Sequence, residues 1–229
     1  MFDLRPQIRI ALLDDHAIVR FGMASRLSSE PDFIVVGSFE NSRTMIAALR
    51  DAPADVLLID YALGPTEIDG VSLIRALNSR FPKSSILVLS SHYDPATVAL
   101  ALRVGARGFV GKSQDVALIV KAIRTVASGS VFLDADMSYR LAEISVAATV
   151  ETKVESPSGE AKLLTGAKLS VKEREVIRCF LDGLTVSDIA QKFGRSAKTI
   201  STQKSMAFRK LGVTSDNELF KLKHMLEEL

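Results

Sequence analysis

Short runs rich in Val, Ile and Leu recur near residues 8–13, 33–38, 56–60, 85–90 and 108–111, and a stretch of helical period follows each. Runs of that length read as buried strands, and strands joined through helices must lie parallel, because the chain crosses back over the sheet between them. The spacing predicts helices near 17–28, 42–51, 70–80, 95–104 and 115–128. In the third of these, Val71, Leu73, Ile74 and Leu77 recur at helical spacing, and Asn78, Ser79 and Arg80 end it ahead of Pro82. Five such units make one doubly wound α/β domain with a five-stranded parallel sheet.

An open parallel sheet gathers the carboxyl ends of its strands at one crevice, where ligands bind. Here the apolar run of Ile8 to Leu13 ends in Asp14 and Asp15, that of Val56 to Ile59 in Asp60, that of Ile86 to Leu89 in Ser90, and that of Phe109 to Gly111 in Lys112. Singly, an Asp after a strand is most often a turn or cap residue, and a lone Lys a solvated charge. Four successive strand ends carrying this set point instead to one site. Two carboxylates at 4 Å repel by about 4 kcal/mol at an effective dielectric near 20, so three of them call for a cation. Magnesium, a hard ion that takes one or two carboxylates plus phosphate oxygens, suits them. Asp60, alone at its strand end, is the candidate nucleophile for a phosphoryl group, which Lys112 and Ser90 would also contact. His16, beside the start of the first helix, reads as a cap or surface residue rather than a ligand.

Residues 4 to about 130 thereby resemble a bacterial response-regulator receiver domain, of flavodoxin-like fold. The resemblance implies Mg2+ held by Asp14, Asp15, Asp60 and the backbone carbonyl of Ala62. It implies Asp60 as phosphoacceptor, Ser90 as switch hydroxyl, Lys112 as the lysine of the motif and Phe109 as the switch aromatic. Ala62 and His92 fall at positions that tune autodephosphorylation. The implied partner is a histidine kinase or phosphotransfer protein. Two features depart from the pattern: the loop after Asp60, YALGPTEIDG, is longer than usual, and Ser113 stands where many receivers have proline.

After Gly129 the pattern changes. Residues 131–167 read as a connecting helix near 137–144 and a flexible linker, VAATVETKVESPSGEAKLLTGAK, without aromatic residues and rich in Ser, Thr, Glu and Lys. From 168 to 229 the signals are helical. Ser170 with Glu173, and Thr185 with Asp188, form capping-box patterns, with Gly183 and Gly194 as stops; Ser196 caps a helix that runs to Leu211 before Gly212, and Ser215 with Glu218 opens a last one. The stretch 189–215 carries Lys192, Arg195, Lys198, Lys204, Arg209 and Lys210 and no acidic residue, an excess that a polyanion would feel. In the helix from Ser196, the period puts Ile200, Ala207 and Leu211 inward and Lys198, Ser201, Thr202, Lys204, Ser205 and Arg209 outward. Arg195 and Lys192 would lie near a DNA backbone. A lone basic helix is more often simply solvated; a small helix-turn-helix module around it changes that weighting.

This module resembles the LuxR-type helix-turn-helix, so the whole chain resembles the NarL/FixJ class of two-component response regulators. The resemblance implies binding of double-stranded DNA by a dimer, with base contacts from Ser201, Thr202 and Ser205 and further contacts from Thr199, Gln203, Lys198, Lys204, Arg195 and Arg209. It also implies dimerisation through the last helix, with Leu219, Phe220, Leu222, Met225 and Leu226, and heterodimers with an auxiliary regulator. Cys179 reads as core beside Val176 and Phe180.

A lone cysteine cannot form an internal disulfide, the start MFDLRPQIRI is no secretory signal, and no uncharged run approaches the roughly 18 residues of a membrane span. A bacterial cytoplasmic regulator without membrane contact fits. Two other classes stay in view: a DNA-binding regulator that works without phosphorylation, its receiver an interaction module, and an Asp-nucleophile phosphatase. Such phosphatases place a second Asp two positions after the nucleophile, where this chain has Ala62, so the expectation is that the protein is not an enzyme.

Overall fold

A computed structural model describes residues 7–91, 93–150 and 169–220, with the backbone alone for 144–150. The chain forms two compact units, Met1–Ala147 and Ala148–Leu229. The first contains strands β1 (Ile8–Leu13), β2 (Phe33–Phe39), β3 (Val56–Asp60), β4 (Ser85–Ser90) and β5 (Gly108–Gly111). Between and after them run helices α1 (Ala17–Ser28), α2 (Ser42–Asp51), α3 (Gly70–Arg80), α4 (Pro95–Arg103), α5 (Val116–Ala127) and α6 (Ala135–Val150), whose last residues, Ala148–Val150, belong to the second unit. All pairings in the sheet are parallel, in the order β2-β1-β3-β4-β5, with one register shift between Ile10 and Ala11.

Successive side chains of a strand face opposite ways, and β3 shows the result: Leu57 and Ile59 join one apolar layer with Ile74, Leu77, Val88 and Phe109, while Val56 and Leu58 join the other with Ile10, Leu89, Ile119 and Ile123. Every residue of β3 is buried, which is why its sequence is a continuous apolar run rather than an alternating one. Local chemistry sets the helix starts. Asn41 accepts from Thr44 N, Asp94 from Ala96 N and Thr97 N with Pro95 at the first helical position, and Asp115 from Ala117 N.

The first unit runs further than the sequence reading placed it. Phe132 and Met137 are buried in its two layers, and Asp134 Oδ1 accepts from Met137 N at 2.7 Å, capping α6. Residues 146–150, expected in the linker, continue this helix. The cap and the anchoring of Met137 and Leu141 start the helix, and the Ala-rich sequence behind them carries it on. The rest of the expected linker lies outside the described residues, as does His92.

The second unit contains α7 (Val171–Leu181), α8 (Val186–Lys192) and α9 (Ala197–Leu211), and a further helix that begins at Asp216. Both expected capping boxes form, Ser170 with Glu173 and Thr185 with Asp188. Ser196 accepts from Thr199 N, and Gly212 closes α9 at φ 71°, a left-handed conformation that other residues adopt only at a cost of about 1 kcal/mol. Val176, Cys179, Ile189 and Ile200 form one small core, and Ile177, Ala207 and Leu219 a second.

Candidate functional site

β1 delivers Asp14 and Asp15, β3 ends on Asp60, β4 on Ser90, and Lys112 follows β5. Pairing brings these ends level: Asp60 stands opposite Leu89 and Ser90 opposite Gly111, and Lys112 N donates to the Ser90 carbonyl at 2.8 Å. The Lys112 ammonium bridges two strand ends, donating to Asp14 Oδ2 at 2.7 Å and to Asp60 Oδ2 at 2.6 Å. Asp14 and Asp60 are buried, at 6% and 4% exposure, and Ser90 fully so.

Burial pushes the Asp60 carboxyl up to about 6 against the pull of Lys112, with the Asp14 charge adding to the rise. Burial works against the Lys112 ammonium too, but its hydrogen bonds to Asp14 and Asp60 outweigh that and hold its pKa above the ordinary lysine value. One lysine thus faces two buried carboxylates with a third acid beside them. Asp15 Oδ1 is buried and accepts no hydrogen bond. Donor atoms of Asp14, Asp15, His16 and Asp60 lie within 4.8 Å of one another. An acid oxygen shut away from water, with the His16 ring 3.0 Å from it in an oxygen-rich set, fits a hard divalent cation. His16, read from the sequence as a cap or surface residue, is exposed. It occupies the cap position of α1 without making a cap bond, and its Nδ1 lies 3.2 Å from Asp14 Oδ1 and 3.0 Å from Asp15 Oδ1.

The long loop after Asp60 is held at several points. Ala62 N donates to Asp60 Oδ1 at 3.3 Å, Leu63 N to Asp69 Oδ2 at 3.1 Å, and Gly70 N to the Tyr61 carbonyl at 2.8 Å. Glu67 Oε2 accepts from both Ser42 N at 3.0 Å and Ser42 Oγ at 2.8 Å, fastening the loop to the first turn of α2. The Lys112–Ser113 peptide is trans. Phe109 is fully buried between Tyr61 and Tyr93, at centroid distances of 5.7 and 5.9 Å. The Tyr93 hydroxyl donates to Asp134 Oδ2, which also receives Gln114 Nε2. Burial, reinforced by Asp134, drives the Tyr93 pKa further above its ordinary value.

In the second unit, α9 presents Lys198, Ser201, Thr202, Ser205 and Arg209 around one open surface groove, together with Met206. Thr199 is exposed, with its hydroxyl 2.9 Å from Ser196 Oγ. Gln203 is half-buried and accepts from Arg195 Nη1 at 3.3 Å, while the Arg195 guanidinium lies 5.5 Å from the Phe193 ring centroid.

Three expected placements are corrected. Lys204 does not face out with the groove residues: its ammonium sits 3.5 Å from the Phe180 ring centroid and pairs with Asp216 at 2.6 Å. At 100° per residue it falls 40° from buried Ile200 and far from the Thr202 side, a signal that a stricter reading of the period contains. Lys192 is buried at the end of α8 rather than beside a DNA backbone. Leu219, expected at a dimer interface, packs within its own unit on Ile177 and Ala207. Phe220 is 43% exposed, its ring 6.0 Å from that of Phe180. Leu222, Met225 and Leu226 lie outside the described residues.

Comparison with known proteins matches both halves. Residues 10–124 match the response regulator receiver domain, and residues 167–222 the bacterial regulatory proteins of the luxR family. Transcriptional regulatory protein UhpA of Escherichia coli (strain K12) is 35% identical over 213 residues, covering 93% of this chain and 95% of that protein. Transcriptional regulatory protein RcsB of Salmonella typhi is 35% identical over 210 residues, covering 91% and 90%. The structure of RcsB from Salmonella enterica serovar Typhimurium bound to promoter rprA in the presence of phosphomimetic BeF3- aligns with a TM-score of 0.72 at 33% identity, covering 94% of this chain and 97% of that one. A likeness of Thr199–Val213 and the long loop to the Rcs-phosphorelay capsule regulator agrees with the RcsB match, and UhpA stands at the same identity. No helix among the described residues is long and apolar enough to cross a membrane. The chain belongs to the response regulators that join a receiver domain to a luxR-type DNA-binding domain, and it is a phosphorylation-regulated transcription regulator.

Proposed function

We propose that Asp60 accepts a phosphoryl group from a phosphohistidine of a kinase or phosphotransfer protein, and that the phosphorylated receiver favours a dimer that places α9 on promoter DNA. The observation that carries this reading is the Lys112 bridge between Asp14 and Asp60, which joins strand ends 98 and 52 residues apart in sequence from the lysine. With a pKa of about 6, Asp60 is mostly ionised at neutral pH and its carboxylate oxygen can attack phosphorus. Lys112, kept charged by the same contacts, offers its ammonium to the oxygens of the transferred group.

Asp14, Asp15, Asp60 and the Ala62 carbonyl would hold Mg2+. When bound, the ion supplies positive charge that neutralises the acids and the phosphoryl oxygens. Ser90, fully buried at the end of β4, is the hydroxyl that turns toward the new dianion, and Phe109 takes up the space this vacates. Ile18 and Phe21, 83% and 79% exposed on the helix that starts beside the acids, give an apolar surface for the donor protein.

On α9, Ser201, Thr202 and Ser205 are the base-contacting candidates, with Lys198, Arg195 and Arg209 toward phosphates. Among the relatives, solved structures include an RcsB–DNA complex and two RcsB dimers bound to two parallel DNAs. A homodimer on DNA, alternative pairing with an auxiliary regulator, and a bacterial cytoplasmic location follow for this chain by that kinship. The test is labelling of the full chain by a small phosphodonor with Mg2+. Asp60→Ala abolishes it, and persistent labelling refutes the assignment.

A further inference from the structure

On the assignment of α9 to DNA, we infer that Met206 and the methyl group of Thr202 form an apolar reading edge that selects a thymine by its C5 methyl group in the major groove. Met206 is a long apolar side chain left 38% exposed on a basic surface and belongs to neither apolar cluster of its unit. It lines the same groove as Lys198, Ser201, Thr202, Ser205 and Arg209. At 100° per residue, Met206 falls 40° from Thr202 and on the same flank of the groove, away from buried Ile200 and Ala207.

The hydroxyl of Thr202 is already committed. It donates to the Lys198 carbonyl at 2.9 Å, so its proton is not available to a base edge. What Thr202 offers outward is an acceptor and a methyl, and Met206 extends that apolar element by one helical turn. In the major groove, the apolar feature that tells one base pair from another is the thymine C5 methyl, beside which the other base edges present donors and acceptors. A flexible thioether chain adapts to such a small target better than a β-branched residue would. A second copy of this surface is a poor occupant, since the flanking Lys198 and Arg209 would meet their own like charges; a polyanion meets no such barrier. Ser201 and Ser205, whose side chains make no hydrogen bond to described residues, keep polar readout on the other flank.

The experiment uses the full chain with phosphodonor and Mg2+ to enrich duplexes from a randomised pool at fixed salt. Each thymine of the enriched sequence is then replaced in turn by deoxyuridine, which lacks only the methyl group. Burying one methyl is worth about 0.8 kcal/mol, so at one position per half-site the replacement weakens binding about fourfold. For Met206→Ser the penalty at that position shrinks, whereas penalties at other positions persist. A flat deoxyuridine scan for the unaltered protein overturns the inference, and so does an equal penalty in both proteins. Failure of the underlying assignment reads differently, because no duplex is then enriched at all.

Discussion

The Tyr93 hydroxyl donates to Asp134 Oδ2 at 2.7 Å, while the other oxygen of that carboxylate accepts Met137 N at the start of α6. One acid therefore ties the ring stacked on Phe109 to the cap of the helix that leaves the receiver. Asp134→Ala removes a helix cap and the partner of a half-buried phenol together. The unfolding transition of the first unit should lose about 1–2 kcal/mol in urea titration, and Asp134→Asn less.

Asp60 is a buried acid whose pKa in the folded chain lies above its unfolded value. Its contribution to stability is complete below pH 4 and is lost as pH rises through about 6. Without divalent metal, thermal unfolding of the first unit should thus fall over that window in the native chain and fall less in Asp60→Asn. At pH 7.5 the Asn variant should be more stable by about 1–3 kcal/mol. Added Mg2+ narrows the gap by stabilising only the protein with the complete acid set.

Lys112 is the cation between two buried carboxylates, so Lys112→Ala leaves both without it. The expected loss is about 3–5 kcal/mol at pH 7.5 by chemical denaturation. Lowering the pH through about 6 should recover part of it, as Asp60 takes up a proton.

Glu173 completes the cap of α7 and pairs with Lys210 Nζ at 2.7 Å. Lys210, first among its partners, holds its pKa below the ordinary glutamate value. The stabilisation is present above about pH 4.5 and lost as pH falls through the lowered pKa. Glu173→Gln should cost the second unit about 1 kcal/mol at pH 7, seen as a lower Tm, and progressively less as the pH falls through the lowered glutamate pKa.

The placement of Lys204 predicts a separation of roles on α9. Lys198→Gln, at the groove, should reduce the dependence of log affinity on log salt by about 0.9. Lys204→Gln should leave that slope unchanged and lower the Tm of the second unit, because its ammonium is engaged by Phe180 and Asp216.

The sheet was legible because strand ends are fixed by local apolar runs, and parallel connection alone forces those ends to one edge. Asp14, Asp60, Ser90 and Lys112 meet for this reason, although 98 positions separate the first from the last. Helix starts were legible where a cap residue stands beside its own target, as at Ser170 and Thr185. What escaped depends on neighbours distant in sequence. Lys204 turns inward because Phe180, on another helix, offers a ring face. The Tyr93–Asp134 bond spans 41 positions, and no local pattern announces it. Leu219 and Leu222 look alike in sequence, and only packing on Ile177 and Ala207 shows that the first is spent inside its own unit.

Glu67 gives the longer loop past Asp60 a further meaning. With its carboxylate fastened to Ser42, the loop past Asp60 is moored to the first turn of α2. On the proposed phosphotransfer reading, a donor protein approaching Asp60 would meet a loop whose position that mooring has already set.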